Sequence, residues 1–301
     1  MRALNQAGRD DVWVVDDLSD ARKVQNLRDL AVFDYLDRAA FIERVRGGRF
    51  PLREAGAIFH LGACTDTTAS DGRQVMETNH RYSVDLLDAC AGAGVPFLYA
   101  SSAAVYGKQR ECREDPRHEA PLNVYAWSKL LVDQAARRRL AGSSTQIVGL
   151  RFFNVYGPRE GHKDAMASLV WQLARQLAGG DVVRLFSGSD GLGDGEQRRD
   201  FVHVDDVVAV VRWFFEHPGV SGIFNVGTGR SRSFNELARA VIAGAGRGRI
   251  EYVPFPERLR AAYQSFTEAD LTRLRAAGCD VHFRDLDDGV PATLRAIDAH
   301  A

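Results

Sequence analysis

Short runs of consecutive apolar residues alternate along this chain with longer stretches in which apolar positions return every three or four. Val12-Trp13-Val14-Val15 ends in Asp16-Asp17, and Ala57-Ile58-Phe59-His60-Leu61 runs into Gly62-Ala63-Cys64-Thr65. Phe97-Leu98-Tyr99-Ala100 is followed by Ser101-Ser102, and Gln146-Ile147-Val148-Gly149-Leu150-Arg151 by Phe152-Phe153-Asn154. Continuous apolar runs of this length mark strands buried on both faces. Residues 81–91 and 126–140 between them carry helical spacing. Strands alternating with helices predict a parallel sheet covered on both sides, an α/β fold. Ligands in such sheets bind beyond the strand C-termini. Asp16, Cys64, Ser102 and Asn154 all fall there, which points to one shared site.

After Pro158 the pattern loosens. The stretch 187–195, Ser-Gly-Ser-Asp-Gly-Leu-Gly-Asp-Gly, reads as a loop. No internal repeat and no Pro/Ser-rich linker divides the chain.

At 301 residues the chain can bury a large core in one big or two modest domains. A net charge of -1 argues against a mainly electrostatic nucleic-acid binder. No apolar run approaches membrane-spanning length, and the opening residues show no signal-peptide pattern. The four cysteines, Cys64, Cys90, Cys112 and Cys279, are scattered and form no C-x-x-C pair. That fits reduced thiols in a cytoplasm, with no zinc site expected.

The chemistry begins at Tyr125 and Lys129, four apart in Tyr125-Ala126-Trp127-Ser128-Lys129. Residues four apart share one helix face, which lets the ammonium sit beside the phenol. A free phenol has a pKa of about 10 and is a poor base at neutral pH. A neighbouring cation favours phenolate and lowers that value. Ser102, at a strand end, is placed to hydrogen-bond the same reacting oxygen. The trio suits proton transfer at a hydroxyl or carbonyl while a cofactor moves hydride. Solvated helices carry the same tyrosine–lysine spacing, so the neighbouring segments decide the reading.

Those segments are Ser101-Ser102 with its preceding strand, Leu150-Arg151-Phe152-Phe153-Asn154-Val155-Tyr156-Gly157-Pro158, Arg199-Asp200-Phe201-Val202-His203-Val204-Asp205-Asp206-Val207 and Phe224-Asn225-Val226-Gly227-Thr228-Gly229. With them the chain resembles the extended short-chain dehydrogenase/reductases, the group of nucleotide-sugar epimerases and dehydratases, from its first residues to near its C-terminus. The resemblance implies a Rossmann-like doubly wound parallel sheet with a smaller α/β substrate-binding domain. Its implied domains are 1–155 with about 200–226 for the dinucleotide, and 156–199 with 227–301 for the substrate.

One feature of that group is missing. Its members open with a strand and a G-x-x-G-x-x-G turn, whose backbone amides and helix N-terminus meet the cofactor pyrophosphate. Here residues 1–8 look like the end of the helix after that turn, and no other segment supplies the glycines. A central strand is hard to lose, because each unsatisfied buried backbone group costs about 1–3 kcal/mol. The expectation is a shortened sequence or misassigned start. The rival is a degenerate chain that no longer binds dinucleotide.

Tyr156-Gly157-Pro158-Arg159-Glu160-Gly161-His162-Lys163-Asp164-Ala165-Met166-Ala167-Ser168, Pro121-Leu122-Asn123-Val124-Tyr125 and Tyr263-Gln264-Ser265-Phe266-Thr267 resemble the branch acting on ADP-heptose. The resemblance implies inversion of C6″ by transient oxidation, for a precursor of the lipopolysaccharide inner core. Inversion needs proton transfer on two faces, and the resemblance implies that Tyr125 serves one and Lys163 the other, with Lys129 and Ser102 assisting. For the cofactor, NADP with NAD as the alternative, the implied residues are Asp16, Asp17, Lys23, Arg38, Leu61, Gly62, Ala63, Cys64, Thr65, Asn79, Lys129, Val155 and Lys163. For substrate they are Ser102, Asn154, Ala165, Gln172, Phe186, Ser189, Arg199 and Tyr263, with Arg199 as a diphosphate clamp. Leu61 stands where an acidic residue is expected. Ala165 and Gln172 replace an expected serine and histidine. The group also implies a cytoplasmic homo-oligomer.

Two rivals remain from the sequence alone. One is another nucleotide-sugar enzyme, such as a UDP-hexose 4-epimerase. A 4,6-dehydratase fits less well, because Ala103-Ala104 follow Ser102 where that enzyme has an acidic pair. The other rival is a non-catalytic descendant.

Overall fold

The computed structural model describes residues 1–66, 71–260 and 263–298. Helix α1 (Arg2–Gln6) leads into the parallel pair β1 (Trp13–Asp16) and β2 (Asp34–Asp37), and α2 (Arg38–Arg46) follows directly. β3 (Ile58–His60), α3 (Gly72–Val75), a π-helical turn (Met76–Arg81) and α4 (Tyr82–Ala93) come next. β4 (Phe97–Ser102), α5 (Val124–Leu140), β5 (Ile147–Phe152) and β6 (Asn154–Tyr156) complete the first half.

Then come α6 (Leu169–Gly179), β7 (Val182–Phe186), β8 (Arg198–Arg199), β9 (Phe201–His203), α7 (Val204–Glu216) and β10 (Gly222–Val226). The chain ends with β11 (Arg232–Ser233), α8 (Phe234–Ala245), β12 (Arg249–Val253), α9 (Glu257–Arg260), α10 (Thr272–Ala276) and α11 (Leu286–Asp298). No helix among the described residues is long and apolar enough to cross a membrane.

Three of the four predicted apolar runs become β3, β4 and β5 of a four-stranded parallel sheet in the order β10-β5-β4-β3, and β10 completes it. β4 and β5 are buried almost throughout, as continuous apolar strands between two helical layers must be. On one face Phe97, Tyr99 and Ile147 pack against Leu86, Leu87, Val132 and Ala136 of α4 and α5. On the other, Leu98, Val148, Leu150 and Phe224 pack against Val207, Val210 and Phe214 of α7.

β1 and β2 form a sheet of their own, and among the described residues no strand hydrogen-bonds both β1 and β3. Val15 and Leu36 still pack on the Phe97–Tyr99 core, so the pair belongs to the same unit. The break falls where the doubly wound order would place a further central strand.

A second core joins Leu173, Leu177, Leu237, Val241 and Val290, from α6, α8 and α11, with Val183 and Leu185 of β7. β7 pairs with β12 in parallel. Leu274 and Cys279 turn away from this core and pack with α7 and β10 on the first. The loop over 187–195 is built rather than loose. Asp190 (φ 52) and Gly191 (φ 78) turn it, the Gly188 amide donates to Asp194 Oδ1 at 2.8 Å, and a Cβ at Gly188 would stand 2.1 Å from the Leu192 carbonyl.

Candidate active site

Helix α5 begins where it does because the Asn123 side chain accepts the Ala126 amide at 2.8 Å. That cap puts Tyr125 in the first turn and Lys129 one turn further, at the C-terminal end of β4. Burial pushes the Tyr125 phenol up from its usual value, and the Ser102 hydroxyl bound to it pulls the other way. Burial pushes Lys129 down to about 8, opposed by the charge of Asp133.

Lys129 is anchored from the strand: its Nζ donates to the Ala100 carbonyl at 2.8 Å. The reason is packing, since Lys129 is 4% exposed and a buried ammonium must find an acceptor. The Ala100 carbonyl of β4 supplies it.

Asn79 lies on the π-helical turn, a feature that widens a helix and turns a side chain inward. Its amide clamps Cys64, accepting the Cys64 N–H at 2.8 Å and donating to the Cys64 carbonyl at 2.9 Å. It also donates to Ser128 Oγ at 3.2 Å, and Ser128 donates to the Tyr125 carbonyl at 2.7 Å. His60 and Ser83 extend the chain behind it, with Nε2 and Oγ 2.7 Å apart. Burial holds His60 down at about 3, so the ring is neutral. Asn79 thus fixes the strand-end loop of Gly62, Ala63, Cys64 and Thr65, while Leu61 is 49% exposed.

Beneath this site lies a buried ionic network absent from the sequence reading. Asp133, one turn past Lys129, accepts from Tyr99 Oη at 2.9 Å, Ser101 Oγ at 3.0 Å and Arg151 Nε at 2.8 Å. Arg151 also pairs with Glu119, which Arg137 grips in turn. The register of β4 on β5 sets Ser101 beside Arg151 and Tyr99 beside Gly149. A Cβ at Gly149 would stand 2.4 Å from the Tyr99 hydroxyl. The glycine therefore lets the phenol reach Asp133.

The residues expected at the adenosine ribose come together at the end of β1. Lys23 Nζ donates to Asp16 Oδ1 at 3.0 Å and to the Asp17 carbonyl at 2.6 Å, and Arg38 Nε to Asp17 Oδ2 at 3.1 Å. Asp17 is held down at about 2, first by Ser19 and then by Arg38. Two acids face two cations here, and a cation–acid set of this kind suits either ribose hydroxyls or a ribose phosphate.

Lys163 stands in the 3-10 segment Gly161–Met166, 44% exposed at its side chain, with Nζ 3.3 Å from Glu160 Oε2. Asp164 beside it has φ 48, and Arg159 at the start of the loop has φ 70. Left-handed backbone costs such residues about 1–3 kcal/mol each and persists only where the surroundings impose it. His162 is pushed down by burial and by the charges of Lys163 and Lys23, which places both lysines near one ring. Among the described residues no hydrogen bond joins Lys163 to Tyr125, Ser102 or Lys129.

Three of the expected substrate residues form one cluster. Arg199 is 7% exposed, lies over the Tyr263 ring at 5.1 Å and the Phe234 ring at 5.7 Å, and donates to the Arg198 carbonyl at 3.0 Å. Among the described residues it has no carboxylate partner, and burial pushes its guanidinium down. A buried cation without an anion is a prepared anion site. Phe255, which the sequence did not single out, stacks edge-on between Tyr263 and Phe186, at 4.9 and 5.4 Å.

Ser189 is buried beside this cluster and accepts from Gln197 Nε2 at 3.1 Å. Gln172 spends its amide on the carbonyls of Ala165 and Ala167, at 3.1 and 2.8 Å, so it holds the Lys163 loop. Asn154 is exposed, and with Val155, Ser168 and Phe201 it lines a cavity of about 80 Å³. That is too small for a nucleotide sugar.

A dinucleotide fits the two ends of this arrangement. Asp16, Asp17, Lys23 and Arg38 suit the adenosine ribose, and Tyr125, Lys129 and the Cys64 loop suit the reacting ring. Among the described residues no glycine-rich turn lies between them to bind the pyrophosphate. Nor do those residues hold a cluster of three metal ligands.

Residues 1–227 match the NAD dependent epimerase/dehydratase family. A curated relative from Alkalilimnicola ehrlichii, named ADP-L-glycero-D-manno-heptose-6-epimerase, is 54% identical over 294 residues, covering 98% of this chain and 92% of the relative. The Helicobacter pylori ADP-L-glycero-D-manno-heptose-6-epimerase crystal structure superposes with a TM-score of 0.75 at 28% identity, covering 96% of each chain. The Thermotoga maritima UDP-glucose 4-epimerase with UDP-glucose gives 0.81 at 26%, covering 99% of this chain and 94% of that one.

Proposed function

The chain belongs to the NAD dependent epimerase/dehydratase family, and from that premise we propose that it is an isomerase that inverts C6″ of ADP-D-glycero-D-manno-heptose to give ADP-L-glycero-D-manno-heptose. The observation that carries the substrate is the likeness over nearly the whole chain to the Alkalilimnicola heptose epimerase. The geometry supports the chemistry. The product serves as a precursor of the lipopolysaccharide core.

When bound, the dinucleotide supplies a hydride acceptor that later returns the hydride. The residues move the protons. Tyr125, bound to Ser102, takes the C6″ hydroxyl proton as the alcohol becomes a ketone. Lys129, tied to Ala100 at a depressed pKa of about 8, stays within proton-exchange range of neutral pH. For inversion the hydride must return to the opposite face of the ketone, and the proton must come from a second group. Lys163, poised on Glu160, fills that role. Arg199, stacked on Tyr263, holds the diphosphate, and Phe186 and Ser189 flank it.

NADP is the proposed cofactor. Lys23 and Arg38 meet at the ribose end of β1, where a 2′-phosphate would draw both cations from Asp16 and Asp17. Asp16 and Asp17 would then keep the remaining ribose hydroxyl. Residues 1–155 with about 200–226 form the dinucleotide half, and 156–199 with 227–301 the sugar half; the packing of Leu274 and Cys279 on α7 and β10 brings their segment to the first. A cytoplasmic homo-oligomer completes the reading, in keeping with the four free thiols.

The test is epimer analysis of ADP-D-glycero-D-manno-heptose incubated with the purified protein. Conversion is expected, falling by about 10²–10⁴-fold in Tyr125→Phe and in Lys163→Met. Conversion of UDP-glucose with none of ADP-heptose would overturn the substrate. Unchanged rates in both variants would overturn the mechanism.

A further inference from the structure

We propose that Arg22 and Asn26, which lie outside both proposed ligand sites, are positioning residues that hold Lys163 at its working geometry; this rests on the reading of Lys163 as the second acid/base group. The 3-10 segment Ala21–Asn26 follows the ribose end of β1 and already carries Lys23. The side chains of Arg22 and Asn26 reach across about 140 positions of sequence to the loop over 159–164. Arg22 forms a two-point fork on Asp164, Nη1 to Oδ1 at 3.0 Å and Nη2 to Oδ2 at 2.8 Å, and reaches the His162 carbonyl at 3.2 Å. Asn26 Nδ2 lies 3.1 Å from the Arg159 carbonyl and 3.1 Å from His162 Nδ1. Arg159 Nη1 returns a bond to the Asn26 carbonyl at 2.8 Å, and the same guanidinium pairs with Asp29.

The bonds fall on both sides of Lys163, on His162 and Asp164. Arg159 (φ 70) and Asp164 (φ 48), the loop's two non-glycine residues in left-handed backbone, are also the two whose side chains this clasp holds. Strained backbone is kept only where other contacts impose it. A planar fork fixes orientation as well as distance, which a flexible cation does not.

The Arg22–Asp164 pair is exposed, at 56% and 58% of the two side chains. Exposed pairs contribute little to stability. The Asn26 and Arg159 bonds are half-buried and those of Arg22 exposed, so the Arg22 fork in particular is hard to explain as reinforcement of the fold. They make sense as control of where Lys163 stands. Because Lys23 shares the segment, the clasp also ties the ribose end of the proposed cofactor site to the second acid/base group.

The experiment compares Arg22→Ala, Arg22→Lys and the exchange Arg22→Asp with Asp164→Arg, each alone and in a Lys163→Met background, in the full chain. Arg22→Ala is expected to lower kcat about tenfold to a hundredfold, with KM and the melting temperature nearly unchanged. Arg22→Lys should recover little, and the exchange should recover part. In Lys163→Met, Arg22→Ala should cause no further loss, because the group it positions is gone.

Full kcat in Arg22→Ala, beside a strong loss in Lys163→Met, would overturn the clasp and leave the proposed function standing. An additive loss in the double variant would also overturn it, since Arg22 would then act elsewhere. Full activity in Lys163→Met would overturn the reading of Lys163 and this inference together.

Discussion

Tyr125 stands on a 17-residue helix whose inner face is buried against β4 and β5, with Lys129, Ser128 and Asp133 almost wholly enclosed. Lys163 stands on a six-residue 3-10 segment at the surface, held by hydrogen bonds from residues 22 and 26. Two groups proposed for the same reaction are thus placed by different physics. The first is located by core packing and sheet register, which allow one arrangement and resist displacement. The second is located by a few exposed or half-buried directional bonds, and one substitution at Arg22 releases three of them. One side of such a site is stiff and the other adjustable, which suits a reaction in which one sugar must be presented on two faces.

The largest effect that would test this contrast is on stability. Asp133→Ala takes from the buried Arg151 one of its two carboxylates, leaving Glu119, and removing one member of a buried pair costs about 3–5 kcal/mol. Denaturant unfolding should register that loss, while Arg22→Ala should leave the midpoint almost where it was. Equal midpoints for the two variants would break the comparison.

The next effect is pH dependence. Lys129 has its pKa depressed by burial to about 8, from 10.5 in the unfolded chain. Between these values the unfolded chain holds the proton and the folded chain has released it. Stability therefore rises with pH across that window and is lost again as pH falls toward 8. Wild type minus Lys129→Met should gain up to about 3 kcal/mol between pH 8 and 10.5. A flat difference would mean that Lys129 is not enclosed as described.

The smallest effect concerns the cofactor. Lys23→Ala should weaken NADP binding about tenfold, or 1.4 kcal/mol, and leave NAD nearly unchanged. Equal changes for both, measured by titration, would detach the 2′-phosphate from the segment that carries Arg22.

Much of the sheet was legible because buried parallel strands are written as unbroken apolar runs. The strands expected from residues 12–17, 57–61, 97–100 and 146–151 appear as β1, β3, β4 and β5. β2, with the sequence Asp34-Tyr35-Leu36-Asp37, was not legible, because it is short, half polar and more exposed than buried. The tyrosine–lysine pair was legible because helical spacing is local. Its environment was not. That Lys129 donates to the Ala100 carbonyl depends on how α5 packs on β4. Asp133 and Arg151 are 18 positions apart, and nothing local marks either as the other's partner. The same holds for Phe255, whose place between Tyr263 and Phe186 comes from three separate stretches of chain.

The sequence by itself determined the alternation of strand and helix, the strand ends where chemistry gathers, and the residue types able to carry protons and bind phosphate. Those properties follow from periodicity and from side-chain chemistry, both of which act over a few residues. Only the tertiary structure decided which groups are enclosed and which are exposed. It set Lys129 on a carbonyl, left Arg199 a buried cation with no carboxylate partner among the described residues, and hung the loop that carries Lys163 from a segment about 140 residues away. The reason is that desolvation and hydrogen-bond pairing depend on what surrounds a group in space, and neighbours in space are fixed by the fold as a whole.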